Sequence, residues 1–431
     1  MKKISIILTV ILSLAALSPA TASVAYLLDQ YEVLAGNGTG IGAKQMAMGG
    51  TGVMSIDGTS LYYNPANLTR IPRIEFMLGM SYQKYKSDMT TGGVGLDTGF
   101  DADDSKNNTR VSSAIMTVPY PTYRGALVFG FGFSRVYDFD RISNFFYREE
   151  EFPGDFNAVS EEVKETGGLN QWAFGCGLDL SPRVSFGGSL FLYHGKHELS
   201  LKSPLYISGA LDSDFEQRLE YKYLGYGAKL GLSMQLSRYI GVGMTLESPV
   251  SLSVDEDGSE VENNVYVRYD EVEYDLKRPF VFAAGAVGRF DYFTFMADIE
   301  YTDWSQMSYS DNMGMELLND ELEEAYREVL KFKIGGEYVI PNIDLALRAG
   351  FFNNPLPYKE TPSYESDSRY GYSVGFGFLV DQVLMIDVAY VHGVSGNNLI
   401  LETEGGIFVN DIDFEEETTT DRLLMTASYR F

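Results

Sequence analysis

Four basic residues are the best-placed chemistry in this sequence. Lys229 and Arg348 each fall near the middle of a run in which apolar and polar residues alternate, on the polar side of that run. Lys331 and Lys333 take the same side of a third run, nearer its end. A base held there would bind an anionic ligand such as a carboxylate, or pair with Asp298, Glu300, Glu337 or Asp387 on neighbouring runs. Catalytic arrangements are weaker. His194 and His197 are an odd number of residues apart, so a strand sends them to opposite faces and they cannot share a metal ion. No G-x-S-x-G nucleophile elbow occurs. The Gly36–Gly42 run has the glycine content of a nucleotide loop, but neither a preceding strand nor a Lys-Ser/Thr ending. The chain is therefore not expected to be an enzyme, and no cofactor or metal is expected.

The elements that carry these bases are strands. Leu224, Tyr226, Ala228, Leu230, Leu232, Met234 and Leu236 share one face, and Gly225, Gly227, Lys229, Gly231, Ser233 and Gln235 the other. A lysine facing lipid at mid-membrane would cost roughly 2–4 kcal/mol, so the polar face should look inward. Its small residues suggest that something fills the interior. The same alternation recurs in Leu127–Phe133, Trp172–Leu178, Ile240–Glu247, Phe293–Thr302, Leu345–Phe351 and Leu423–Phe431.

Short turns are read near 119–123, 180–182, 237–238, 290–291, 341–342 and 381–383. They alternate with long, mostly acidic segments near 87–108, 139–166, 200–216, 256–275, 309–328, 354–368 and 395–418. Short periplasmic turns and long outer loops are the plan of an outer-membrane barrel. Six turns and seven loops make fourteen antiparallel strands, with both termini periplasmic. The strand near 276–289 is the least clear. No apolar stretch after the N-terminus is long enough for a spanning helix, and a closed barrel is the other structure that satisfies its backbone in lipid.

The N-terminus fits export. Met1-Lys2-Lys3, an apolar run from Ile4 to Leu17 and Ala20-Thr21-Ala22 read as a secretion signal, residues 1–22, cut after Ala22. A net charge of −27 argues against a nucleic-acid partner. Cys176 is the single cysteine, which excludes an internal disulfide. The terminal Phe431, on an outward-facing alternating strand, resembles the signal read by the barrel-assembly machinery. The acidic runs Glu149–Glu151 and Glu415–Glu417 suit a surface facing lipopolysaccharide.

Residues 23–72 are Gly-rich, sparsely charged and poorly alternating, and they precede the barrel of 73–431. A fourteen-stranded lumen must be plugged or conduct, and this stretch looks like the plug. It contains Met46-Ala47-Met48-Gly49-Gly50-Thr51-Gly52-Val53, then Asp57, then Ser60 through Leu68 with Asn64-Pro65-Ala66 at its centre. Asn64 can cap a helical turn that starts at Pro65. This run resembles the FadL/TodX family of outer-membrane transporters of long-chain fatty acids and aromatic hydrocarbons. The stretch from Pro279 to Trp304 is similar to that family too. The resemblance implies a fourteen-stranded barrel with an N-terminal hatch, in which Asn64, Pro65 and Ala66 take part in gating. It also implies capture of a greasy substrate at the outer face and sideways release through the wall. A candidate place for that gap is the third strand, with Gly130 and Gly132, though small residues making room for the plug explain these glycines better.

Asn319–Leu330 reads as a helix with Leu322, Ala325, Tyr326 and Val329 on one face, either a wall of a capture groove or a piece packed on the rim. The expected function is passive uptake of hydrophobic small molecules by a monomer in the outer membrane. The alternatives are a scaffold of the same fold that binds a secreted or surface protein, and a diffusion porin for hydrophilic solutes.

Overall fold

The structure, a computed structural model, describes residues 40–92, 101–152, 155–263, 265–268, 271–310, 319–359, 364–366, 369–401 and 412–431. The expected secretion signal and the start of the expected plug lie outside the described residues.

Fourteen antiparallel strands form a closed ring. The first six are Glu75–Gly92, Asp101–Tyr120, Leu127–Asp138 continued by Arg141–Phe152, Asp155–Ser181, Val184–Ile207 and Ala210–Gln235. The seventh runs Ile240–Glu247 and on through Val250–Glu262, bent at Pro249, because both pieces pair with the sixth strand. The eighth is broken in the same way at Pro279, into Val272–Arg278 and Val281–Phe290. Each proline removes a ladder donor where it sits. Phe293–Asp303 with Ser308–Ser310, Glu328–Ile340, Leu345–Asn353, Tyr364–Ser366 with Tyr370–Val380, Leu384–Leu401 and Ile412–Arg430 complete the set. The first strand pairs with the last from Glu75↔Arg430 to Gly92↔Asp413, so the sheet closes on itself. The ambiguous strand near 276–289 is real, and it extends from 272 to 290.

The six short turns fall where the sequence placed them. The long segments need correction. Residues 200–216 are not a loop: the fifth and sixth strands continue through them and meet at Ser208-Gly209, with φ of 50° and 75°. Two left-handed residues in a row make the tight hairpin turn that suits twisted strands. Residues 87–92, 101–108, 141–152, 155–166, 256–262, 272–275, 395–401 and 412–418 are likewise strand.

The outer surface shows where lipid ends. On the sixth strand the exposed apolar residues run from Leu224 to Met234, while Lys222 and Arg218 stand in the same outward row above them. That belt is about the height that 9–11 tilted residues span. The strands then continue well beyond the membrane.

Candidate functional site

Residues 40–72 fold inside the ring. A short helix, Ala43–Ala47, leads into Gly49-Gly50, both left-handed with φ of 72° and 76°. Ser60–Tyr63 makes one helical turn, and Asn64 caps the 3-10 helix Pro65–Arg70. Asn64 is buried. Its Oδ1 accepts from Ala66 N at 3.2 Å, and its Nδ2 donates to Val53 O at 3.0 Å and to Leu232 O on the sixth strand at 3.2 Å. Asp57 accepts from Gln45 Nε2 at 2.7 Å and from Thr59 N at 3.0 Å, which ties the two helical pieces together.

Barrel strands all round the ring hold this inner segment. Asp298 Oδ2 accepts from Gly52 N at 2.6 Å and Val53 N at 3.0 Å. Gly49 N donates to Ser373 Oγ, Ala43 N to Thr426 Oγ1, and Ser189 Oγ to Leu61 O, all within 2.9 Å. The small inward faces explain themselves here. A Cβ on Gly187 would strike the Pro65 backbone, one on Gly231 the Asn64 side chain, and one on Gly350 the Gly49 backbone. Gly130 and Gly132 lie against Leu61 and Tyr62, so they make room for the inner segment.

Above the segment, aromatic side chains fill the lumen. One contiguous apolar cluster joins Leu61, Tyr62 and Leu68 to Tyr137, Phe139, Tyr221, Tyr223, Tyr274, Trp304, Tyr309, Tyr326 and Tyr358. His197 belongs to this roof. Its ring stacks on Phe139 at 4.3 Å, and its Nε2 lies 3.1 Å from Glu165 Oε2. His194 faces the other way, against Trp172. The helix is shorter than expected, Asn319–Ala325, and Val329 already belongs to the tenth strand. Leu322 and Tyr326 are fully buried, so the helix closes the lumen from within rather than resting on the rim.

A cavity of about 210 Å³ lies between floor and roof. Tyr62, Tyr63, Tyr193, Trp304 and Phe352 line it, as do Lys229, Arg278, Lys331, Lys333, Glu247, Asp298 and Glu300. Three of the four bases singled out in the sequence thus meet in one place. Each is paired. Lys229 Nζ is 2.9 Å from Glu247 Oε2 and donates to Tyr62 O at 2.8 Å. Lys331 and Lys333 share Glu300 at 3.1 and 3.5 Å. Arg348 lies apart, buried between Glu337 and Asp387 at 2.7 Å from each. The sequence reading missed Glu247 as a partner, although its alternation already put Glu247 on an inward face. Asp298 is no partner of a base; it holds the inner segment.

Among the described residues the wall has one weak seam. Second and third strands pair from Tyr120↔Leu127 up to Ser113↔Ser134, and share no further ladder pair among the described residues. Side chains cross the seam instead. Asn108 Nδ2 donates to Asp140 at 3.0 Å, Lys106 Nζ is 3.6 Å from Asp140, and Arg110 binds both Asp138 and Asp140. The third strand also bulges between Arg135 and Tyr137.

Known proteins place this architecture. The chain matches the family described as outer membrane protein transport protein (OMPP1/FadL/TodX) over residues 32–431. A comparison with curated proteins finds no match. Among solved structures it is similar to a Pseudomonas aeruginosa FadL homologue, at 14% identity and a TM-score of 0.62, covering 90% of this chain and 98% of that one. It is also similar to the P. putida toluene transporter TodX, at 16% identity, TM-score 0.59, and coverage of 91% and 99%. The Ralstonia pickettii toluene transporter TbuX matches at 17% identity, TM-score 0.55, and coverage of 92% and 99%. These likenesses are of fold. The family match carries further: with its closed fourteen-stranded barrel and lipid-facing apolar belt, this chain is a member of the OMPP1/FadL/TodX family of outer-membrane transport proteins for hydrophobic compounds.

Proposed function

We propose that the protein takes up amphiphilic hydrophobic molecules, of the long-chain fatty acid class, with residues 23–72 acting as a hatch. The cavity carries this reading. Its aromatic wall suits an apolar body. Its four cations, Lys229, Arg278, Lys331 and Lys333, outnumber its three carboxylates, Glu247, Asp298 and Glu300, and such a surplus draws an anion inward. An uncharged aromatic hydrocarbon would gain from that surplus only the weaker cation–π attraction. Asn64, Pro65 and Ala66 then act as the gating part of the hatch, since they touch both its core and the wall. The seam above Ser113 and Ser134 is the side of the barrel where a ligand would leave, because only side-chain contacts must part there.

The test is paired. Cells that carry or lack the protein are given radiolabelled palmitate, and the purified protein is placed in a planar bilayer. Uptake that depends on the protein, with no large steady conductance, is expected. Steady conductance without protein-dependent uptake would make it a porin. A surface or secreted protein that copurifies, with no ligand binding, would make it a scaffold.

A further inference from the structure

Most inward cations among the described residues are paired with carboxylates; half-buried Arg289 reaches only Met54 O, at 3.5 Å, and one deeply buried cation reaches nothing. Lys229, Arg278, Lys331, Lys333 and Arg348 each have an acid within ion-pair distance. Arg422, on the inward face of the fourteenth strand, is only 8% exposed. Its guanidinium makes no hydrogen bond or ion pair among the described residues, and its Nε is buried without a partner. A guanidinium does not give up its proton in a protein, so the charge stays. An unmatched buried donor of this kind is costly, and calls for a reason.

The surroundings supply one. The groups that act on Arg422 electrostatically are Asp138 and Tyr63. Neither is available to it. Asp138 is bound to Arg110 and Arg135, and the Tyr63 hydroxyl accepts from Ile41 N at 2.8 Å. Arg422 lies across from Gln83 on one side and Val391 on the other. Val391, Leu424 and Met46 form an apolar cluster on which Phe352 packs. Met46, Tyr63 and Phe352 also line the 210 Å³ cavity. Arg422 does not itself line that cavity; it stands two residues from Leu424 on the same inward face and across from Val391, so this apolar cluster lies between the cavity and a buried, unpaired guanidinium.

We propose that Arg422 is the anion-recognition residue of the transport site, and that its ligand is an amphiphile with a carboxylate head. This rests on the uptake reading above and assigns a contact within it. The carboxylate takes the N–H donors that no protein group takes, the fork geometry for which Arg is suited. The cavity lysines are already committed to Glu247 and Glu300, so they set the field while Arg422 makes the bond.

The experiment measures equilibrium binding of tritiated palmitate and of 1-hexadecanol to the purified full chain and to Arg422→Gln and Arg422→Lys. Folding of each is checked by heat-modifiable gel mobility. Arg422→Gln is expected to weaken palmitate about tenfold or more while leaving hexadecanol within about twofold, and Arg422→Lys to recover part of the loss. Equal effects on both ligands, or none, overturn the proposal. Wild-type protein that binds hexadecanol but not palmitate overturns it too, and leaves hydrophobic uptake standing. Wild-type protein that binds neither overturns the uptake reading itself.

Discussion

Gly49 and Gly50 hold nearly the same backbone conformation, yet replacing them should not cost the same. Both are left-handed, which charges any other residue about 1–2 kcal/mol. A Cβ on Gly49 would also sit 2.5 Å from Ile334 O and 2.6 Å from Phe351 O, and strand backbone cannot step aside. A Cβ on Gly50 meets nothing nearer than Met46 Sδ at 3.8 Å. Gly49→Ala is therefore expected to loosen the inner segment and lower the unfolding temperature clearly more than Gly50→Ala. Equal losses would mean that the wall contact does not matter. A second residue, Glu165, stands above the lipid belt, beside His197 of the aromatic roof. Burial pushes its carboxyl up, but Arg141, at 2.6 Å, and His197 outweigh that and hold it below the usual carboxylate range. Its contribution is then present above the ordinary value of 4.5 and lost as pH falls through the depressed one. Glu165→Gln should lower stability at neutral pH and flatten its decline below about pH 4.5. Acid titration of the unfolding temperature reads both effects.

At the level of elements, the helix Asn319–Ala325 is the roof's most removable piece. Leu322→Ala leaves a void among Trp304, Tyr309 and Tyr326, at a cost of about 2–5 kcal/mol. Glu324→Ala, on the exposed side, should stay within about 0.5 kcal/mol. Urea unfolding of the two variants separates a roof from an ornament on the rim. The strands below this helix were legible because lipid dictates their pattern: only one face of Leu224–Leu236 can meet hydrocarbon, so the alternation is strict. Above the belt the phase inverts. Leu219, Tyr221 and Tyr223 turn inward to the roof while Arg218, Glu220 and Lys222 meet water. The period stays at two, but with the apolar residues on the opposite face, and a reader who expects apolar residues outside sees a polar loop there. That is why residues 200–216 looked unstructured and the roof went unseen. Inward bases could be placed by the same alternation, and so could Arg422, opposite Leu423 and Met425. Which of them had a partner depended on register between strands, and register is not written in any one strand.

In the whole molecule, floor, cavity and roof make a chamber rather than a tube. This arrangement fits a protein that hands a ligand from step to step, and it sets the design apart from a barrel with an unobstructed bore. It also ties the two ends of the chain together. Ala43 is bonded to Thr426, 383 residues later, and Gly49 to Ser373, 324 residues later. The part of the chain that is made first therefore has no complete seat until the final strand has joined the first. Such distant contacts are slow to form, since the loop between them must close before they give anything back. During assembly the inner segment must wait, half-held, inside an unclosed sheet. Sealing the ring and seating its contents become a single late event, so a barrel stalled one strand short would be an open trough with its filling loose.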